Sequence, residues 1–414
     1  MLIGFAPSAF AQGNDTIQAA YDTEVKMALE ELSEVRSSTQ LSDQELITRT
    51  IELFSEARID QLNNYETEQY YFTEFFVPDY MNNSNLVYIC DRFEWNRQML
   101  KETGAKNLWY DVHTEVLSMD IVGETAEVTF SEKYEYERVN HPGRVSFEGI
   151  TYYVNMVKLD GIWLISDLTT DSSYDKANRD EGIDVDAKMR AVRLGIGEQT
   201  SELIYTPTID ENSTSVARAS MRIDTDKFVE YARKYAENYN DNFCNYKELN
   251  QQGYDVGDCQ NFASQCVWAG VGGINDLSHI NSHAEPMVDL SYSNDRDWFQ
   301  EKEWVTDSGF HWTTVVGFGN YISTQNYNSI GPRGNIYSGV AYAGVGSIVQ
   351  IGSAEEGGYY HSYVVVEADG TYGNRTFSDL TVCSHTEDYC DKNLGELYDP
   401  DAYYRTIHIN AANY

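Results

Sequence analysis

Between Gly123 and Leu168 the apolar residues keep a period of two rather than 3.6, and that rhythm constrains the fold more than any other stretch. In "GETAEVTFSEKYEYE" Ala126, Val128 and Phe130 alternate with Glu127 and Thr129, which marks a strand with one dry and one wet face. "GITYYVNMVKLDGIWLISDL" follows as two apolar runs around Asp160-Gly161, a dipeptide suited to a tight hairpin turn. Strands joined this closely are antiparallel neighbours, so this part of the chain is expected to form a meander.

Upstream the spacing is helical. Ile17, Tyr21, Val25, Ala28, Leu29, Leu32 and Val35 predict an amphipathic helix over 15–36, and a second is expected over 43–58. Helices followed by a meander give an α+β accessory domain over residues 12–170. With "VKLDGIWLISDL" closing its sheet, the region from about residue 20 to 170 resembles the cone-shaped fold of the nuclear-transport-factor and SnoaL-like superfamily. The resemblance implies a curved sheet wrapped around an N-terminal helix, and no chemistry is assigned to it.

The opening "MLIGFAPSAFAQ" reads as the remnant of a secretory signal over residues 1–11: an apolar run, then small residues at Ala9 and Ala11. A secreted chain is therefore expected. No other apolar run approaches 18 residues, so no membrane insertion of the mature chain is expected. Lys and Arg number 29 against 66 Asp and Glu, a net charge of −37 that repels a phosphate backbone. Nucleic acid is excluded as a partner class on that ground, and the charge reads as a solvating surface. Six cysteines are too few for a disulfide scaffold in a chain of 414 residues, although Cys383 and Cys390 are close enough in sequence for a local bridge.

Residues 171–220 are rich in Asp, Glu, Ser and Thr with little periodicity and read as an acidic linker. A second domain, 221–414, then opens with "DTDKFVEYARKYAENYN", whose Phe228, Tyr231, Ala232, Tyr235 and Tyr239 share one stripe behind the capping candidates Asp224 and Thr225.

Within it, "GDCQNFASQCVWAG" places Cys259 where a loop turns into a helix. The partial positive charge of a helix start favours a thiolate, whereas the adjacent Asp258, a candidate cap, opposes one. Cys259, Phe262, Cys266 and Gly270 also fall on one stripe, as a small buried hydrophobe would. Spacing alone leaves nucleophile, half-disulfide and core residue open.

The run "YARKYAENYNDNFCNY" followed by Asp258, Cys259, Asn261, Phe262, Ser264 and Gln265 resembles the amidase domain of exported Gram-positive bacterial proteins. "GFHWTTVVGFGNYI", "GSIVQIGSAEEGGYYHSYVVVEA" and "VCSHTEDY" resemble its later motifs in the same order. The resemblance, over about residues 221–410, implies a papain-like Cys-His hydrolase related to the NlpC-type and CHAP peptidases, with the cysteine helix packed on an antiparallel sheet that carries the histidine. On that footing Cys259 is the expected nucleophile and His361 the base, with His385 or Asp388 orienting the imidazole. Asp258, Asn261 and Gln265 are expected to support the motif, and Gln252 is a guess for an oxyanion donor. The chemistry calls for no cofactor; a peptide or amide substrate, peptidoglycan peptide among them, is implied by analogy alone.

Two rivals stand beside this reading. Cys383, His385 and Cys390, with Asp388, form a cramped candidate zinc set. A non-catalytic wall or carbohydrate binder would use some of the 32 Tyr and 7 Trp for stacking.

Overall fold

The computed structural model describes residues 41–63, 71–139, 142–172, 175, 183–195, 201–208, 220–240, 243, 246, 257–272, 310–325, 331–353 and 358–413. The expected signal, the helix over 15–36, Cys244 and Gln252 lie outside the described residues. The protein is mixed α+β: helices beside extensive antiparallel sheet. It divides at Asp171/Ser172 into two compact units, with Glu181–Val185 counted in the first.

In the first unit α1 spans Asp43–Asn63, five residues beyond the sequence expectation. It starts on a capping box in which Ser42 and Glu45 satisfy each other's backbone N–H groups. Helix α2, Ser84–Thr103, starts on the Asn83 side chain and stops at Gly104 in the left-handed conformation (φ 65°). Strands β1 (Asn107–Val122), β2 (Thr125–Arg138), β3 (Val145–Leu159) and β4 (Ile162–Thr170) form the antiparallel meander. Alternation on β2 survives intact, with Ala126, Val128, Phe130, Tyr134 and Tyr136 buried. Asp160 and Gly161 make the turn between β3 and β4 with φ of 50° and 86°. Ile47, Ile51 and Phe54 of α1 are buried in this unit, and Phe54 meets the rings of Phe72, Phe75 and Phe76.

The second unit begins inside the segment read as a linker. Helix α3 (Val185–Gly195) belongs to it, and Lys188 is buried there against Asp399 with both carboxylate oxygens at 2.8 Å. Strand β5 (Leu203–Tyr205) pairs with β7 (Gly331–Ser338). Acidic composition concealed these elements because their partners lie more than a hundred residues away. Strand β6 (Ser220–Arg222) leads into α4, Thr225–Tyr235, whose Asp224 caps the Lys227 N–H as expected.

Helix α5 covers Cys259–Gly270 and α6 covers Val315–Thr324. The remaining strands are β8 (Ser347–Ser353), β9 (Gly358–Ala368), β10 (Leu380–Ser384), β11 (Asp388–Asn393) and β12 (Tyr403–Asn413). In this unit they order as β11-β10-β9-β8-β12-β7-β5, every pair antiparallel, with β6 also on β12. Helix α5 packs on α4 and on the centre of the sheet at β9. Gly270 lets α5 approach closely, because a Cβ there would lie 3.0 Å from Ile223 Cγ2 and 3.3 Å from the Asp224 carbonyl oxygen.

Candidate active site

All twelve residues of α5 are buried, although four of its side chains are amides or hydroxyls. Burial of such groups is tolerable only where each finds a hydrogen-bond partner, and here each does. Gln260 Oε1 accepts from Gln350 Nε2 of β8 (2.8 Å) and Ser362 Oγ of β9 (2.7 Å). Asn261 accepts from Trp312 Nε1 (2.9 Å) and donates to Asp258 (2.7 Å). Ser264 donates to the Trp312 carbonyl (2.8 Å), and Gln265 accepts from Tyr231 of α4 (2.8 Å). Asn261 and Gln265 thus lock the cysteine helix to its neighbours.

Cys259 heads this helix with 4% of its surface exposed. The backbone N–H groups of Ser362 and of Gln260 favour its thiolate form. The strand that carries His361 therefore acts on the thiol through the very next residue. Burial is the main reason the thiol is pushed up to about 12; the N–H of Ser362 works against this, and the charges of Asp258 and Glu387 add to it.

His361 is buried on β9, and burial pulls its imidazole down to about 4, with the Glu387 charge opposing that fall. Its Nε2 lies 2.8 Å from Ser384 Oγ at the end of β10. That hydroxyl also faces two carbonyl oxygens, of Ser362 (3.1 Å) and His385 (3.0 Å), which accept its proton. Its lone pair then faces Nε2–H, a tautomer that leaves the lone pair of the imidazole on Nδ1.

The residue on Nε2 is thus Ser384; the sequence had offered His385 or Asp388 as the group that orients the imidazole. His385 is committed elsewhere: Nδ1 is 2.5 Å from Asp258 Oδ2, and Nε2 is 2.6 Å from the Tyr235 carbonyl. Its ring lies between Tyr239 and Phe262, each centroid at 4.0 Å. Asp388 accepts from the Tyr239 hydroxyl at 2.9 Å. Ser384 ends β10 and His385 opens the turn that follows, so the two serve different partners.

Asp258 is not a side-chain cap for α5, contrary to the sequence expectation. Its backbone sits at φ −106°, ψ −5°, and its carboxylate turns to Asn261, His385 and the Tyr246 N–H. The Asp258 N–H donates to Thr386 Oγ1 at 2.8 Å. Ser384, His385 and Thr386 therefore hold, in order, the imidazole, the carboxylate beside the thiol, and the backbone of that carboxylate. Thr386 does so with φ of 85°, an uncommon conformation for a β-branched residue.

Sequence reasoning passed over Glu387, the residue whose charge reaches both Cys259 and His361. Its carboxylate is buried and accepts from Ser172 Oγ and, at 2.6 Å, from Tyr389 OH. Its position inside "SHTED" was the available signal.

The zinc set does not assemble. Cys383 and Cys390 meet, but His385 is turned to Asp258 and Tyr235 and Asp388 to Tyr239. Among the described residues no three His, Cys, Asp or Glu side chains converge as metal ligands.

No curated protein and no solved structure matches the chain. Residues 222–407, the stretch that holds α4, α5 and the sheet with His361, match the family model described as "Putative amidase domain", which makes this part of the chain similar to the amidases, a class of hydrolases.

Proposed function

We propose that the second unit hydrolyses an amide through a thioester on Cys259. The observation that carries this reading is the 2.7 Å hydrogen bond from Ser362 of β9, one residue after His361, to Gln260 of α5, one residue after Cys259. His361 Nδ1 takes the S–H proton as the sulfur bonds to the carbonyl carbon. The same nitrogen returns that proton to the leaving amine as the C–N bond breaks. Water then adds to the thioester and frees the acid and the thiol.

At rest both partners are neutral, since burial disfavours thiolate and imidazolium alike. Proton transfer is therefore concerted with attack. Ser384 is the positioning residue that fixes the imidazole tautomer, and backbone N–H groups at the α5 start supply oxyanion stabilisation. Further, we place the protein outside the cell and its substrate among cell-wall peptides. The leader-like "MLIGFAPSAFAQ" and the amidase motifs support that reading.

The test is acid-quenched turnover of the full chain on peptidoglycan peptides, with the Cys259 peptide weighed for a trapped acyl group. Cys259→Ala and His361→Ala are both expected to abolish amide cleavage. Undiminished cleavage by either variant removes that residue from the mechanism.

A further inference from the structure

Cys383 is the fourth residue of β10 and Cys390 the third of β11, and their sulfurs lie 3.7 Å apart in the interior. A bulge brings them together. Val382 pairs with Lys392 and Ser384 with Tyr389, so β11 carries one extra residue opposite Cys383. Asp391 absorbs it at φ 54°, and Arg233 of α4 grips the Asp391 carboxylate through Nε (3.0 Å) and a terminal nitrogen (2.8 Å). The two thiols are thus held face to face by backbone and by an ion pair that neither of them makes.

The residues between them are those that organise the site. Ser384 meets His361, His385 meets Asp258, Thr386 holds the Asp258 N–H at positive φ, and Glu387 acts on Cys259 and His361. A hairpin that keeps a β-branched residue in such a conformation needs support from its flanks.

We propose that Cys383 and Cys390 are joined by a disulfide in the working protein, a covalent staple across the neck of the hairpin that positions the site. Small side-chain rotations bring the sulfurs from 3.7 Å to bonding distance, about 2.05 Å. The oxidant is a small-molecule disulfide of the glutathione class. One thiolate attacks it, forming a mixed disulfide and releasing one reduced thiol. The second thiolate then displaces the other half, so the two cysteines lose two protons and two electrons and the oxidant leaves as two thiols. Because both sulfurs are buried once the unit has folded, exchange takes place as the hairpin closes, and the finished bridge is shielded from reductants.

The bridge itself is read by mass and is independent of amide cleavage; only its role in the site rests on the amidase reading. The full chain is refolded from urea in buffers of graded reduced and oxidised glutathione and trapped with iodoacetamide. It is then digested without reductant by a glutamate-specific protease, which cuts between the two cysteines at Glu387. The expected product is one linked pair of peptides carrying Cys383 and Cys390, 2 Da lighter than their reduced sum (about 1 Da per hydrogen lost).

Reduction should lower the folded-to-unfolded ratio on the order of 50-fold, from closure of an eight-residue loop. The Cys383→Ala/Cys390→Ala protein should show no response to reductant; if it fails to fold, Cys390→Ala alone serves. Both thiols alkylated in the most oxidising buffer, a bridge to another cysteine, or a wild-type urea midpoint unmoved by reductant would each overturn the proposal. If the bridge forms but reduction leaves the rate of amide cleavage unchanged, the staple stands and its role in the site falls.

Discussion

The imidazole of His361 gives the sharpest test of the site, because its burial can be read as acid sensitivity. In the unfolded chain it titrates near 6.5, and in the folded protein near 4. A depressed folded value means that between these limits the unfolded chain binds a proton the folded one refuses. The contribution to stability is therefore complete above about pH 6.5 and is lost as the pH falls toward 4. At about 1.4 kcal/mol per pKa unit, the loss relative to pH 8 comes to about 2 kcal/mol at pH 5 and about 3 kcal/mol at pH 4. Other groups titrate in the same window, so the measurement must be differential. Urea unfolding of the wild type and of His361→Gln, followed at pH 8, 6, 5 and 4, cancels whatever the two share. The stability difference should narrow by the amounts given. Parallel curves, with a gap constant to about 0.5 kcal/mol, would mean that the imidazole is solvated or already charged in the fold, and the neutral resting pair would be refuted.

Removing His385 by His385→Phe leaves the Asp258 carboxylate buried beside the thiol without its closest partner, and should cost about 3–5 kcal/mol in urea unfolding. Ser384→Ala deletes the hydroxyl on His361 Nε2; kcat for amide cleavage should fall about tenfold with KM little changed, and stability by about 1 kcal/mol. Glu387→Gln removes a charge that raises the Cys259 thiol, so iodoacetamide should label Cys259 several-fold faster at pH 8 than in the wild type. An unchanged or slower rate would show that the Glu387 charge does not act on the Cys259 thiol.

The elements legible in the sequence are those written in local patterns. Alternation fixed β2, the Asp160-Gly161 turn joined β3 to β4, and Asp224 capped α4, each within a few residues. The cysteine helix was legible too, through its Asp-Cys-x-Asn-Phe-x-Ser-Gln spelling. What stayed hidden depends on pairings between elements that no local pattern announces. Ser384, the last residue of β10, meets the imidazole of β9, while His385 turns out of the strand toward Asp258, and a one-residue bulge at Asp391 sets the neighbouring register. Asp258 looked like a cap because Asp commonly is one. Its carboxylate instead goes to a histidine 127 residues away.

The interior of α5 bears on how such chains are recognised. Asn261, Ser264 and Gln265 spend their polar atoms on Trp312, Asp258 and Tyr231, groups that a substrate never meets in the proposed reaction. Selection for a folded core alone would preserve those letters, since an orphaned amide in a protein interior is costly whatever the protein does. A search by this spelling therefore gathers chains that share a scaffold, and a relative in which the sulfur or the imidazole has been lost would still be gathered. Reactivity has to be read from Cys259 and His361 alone.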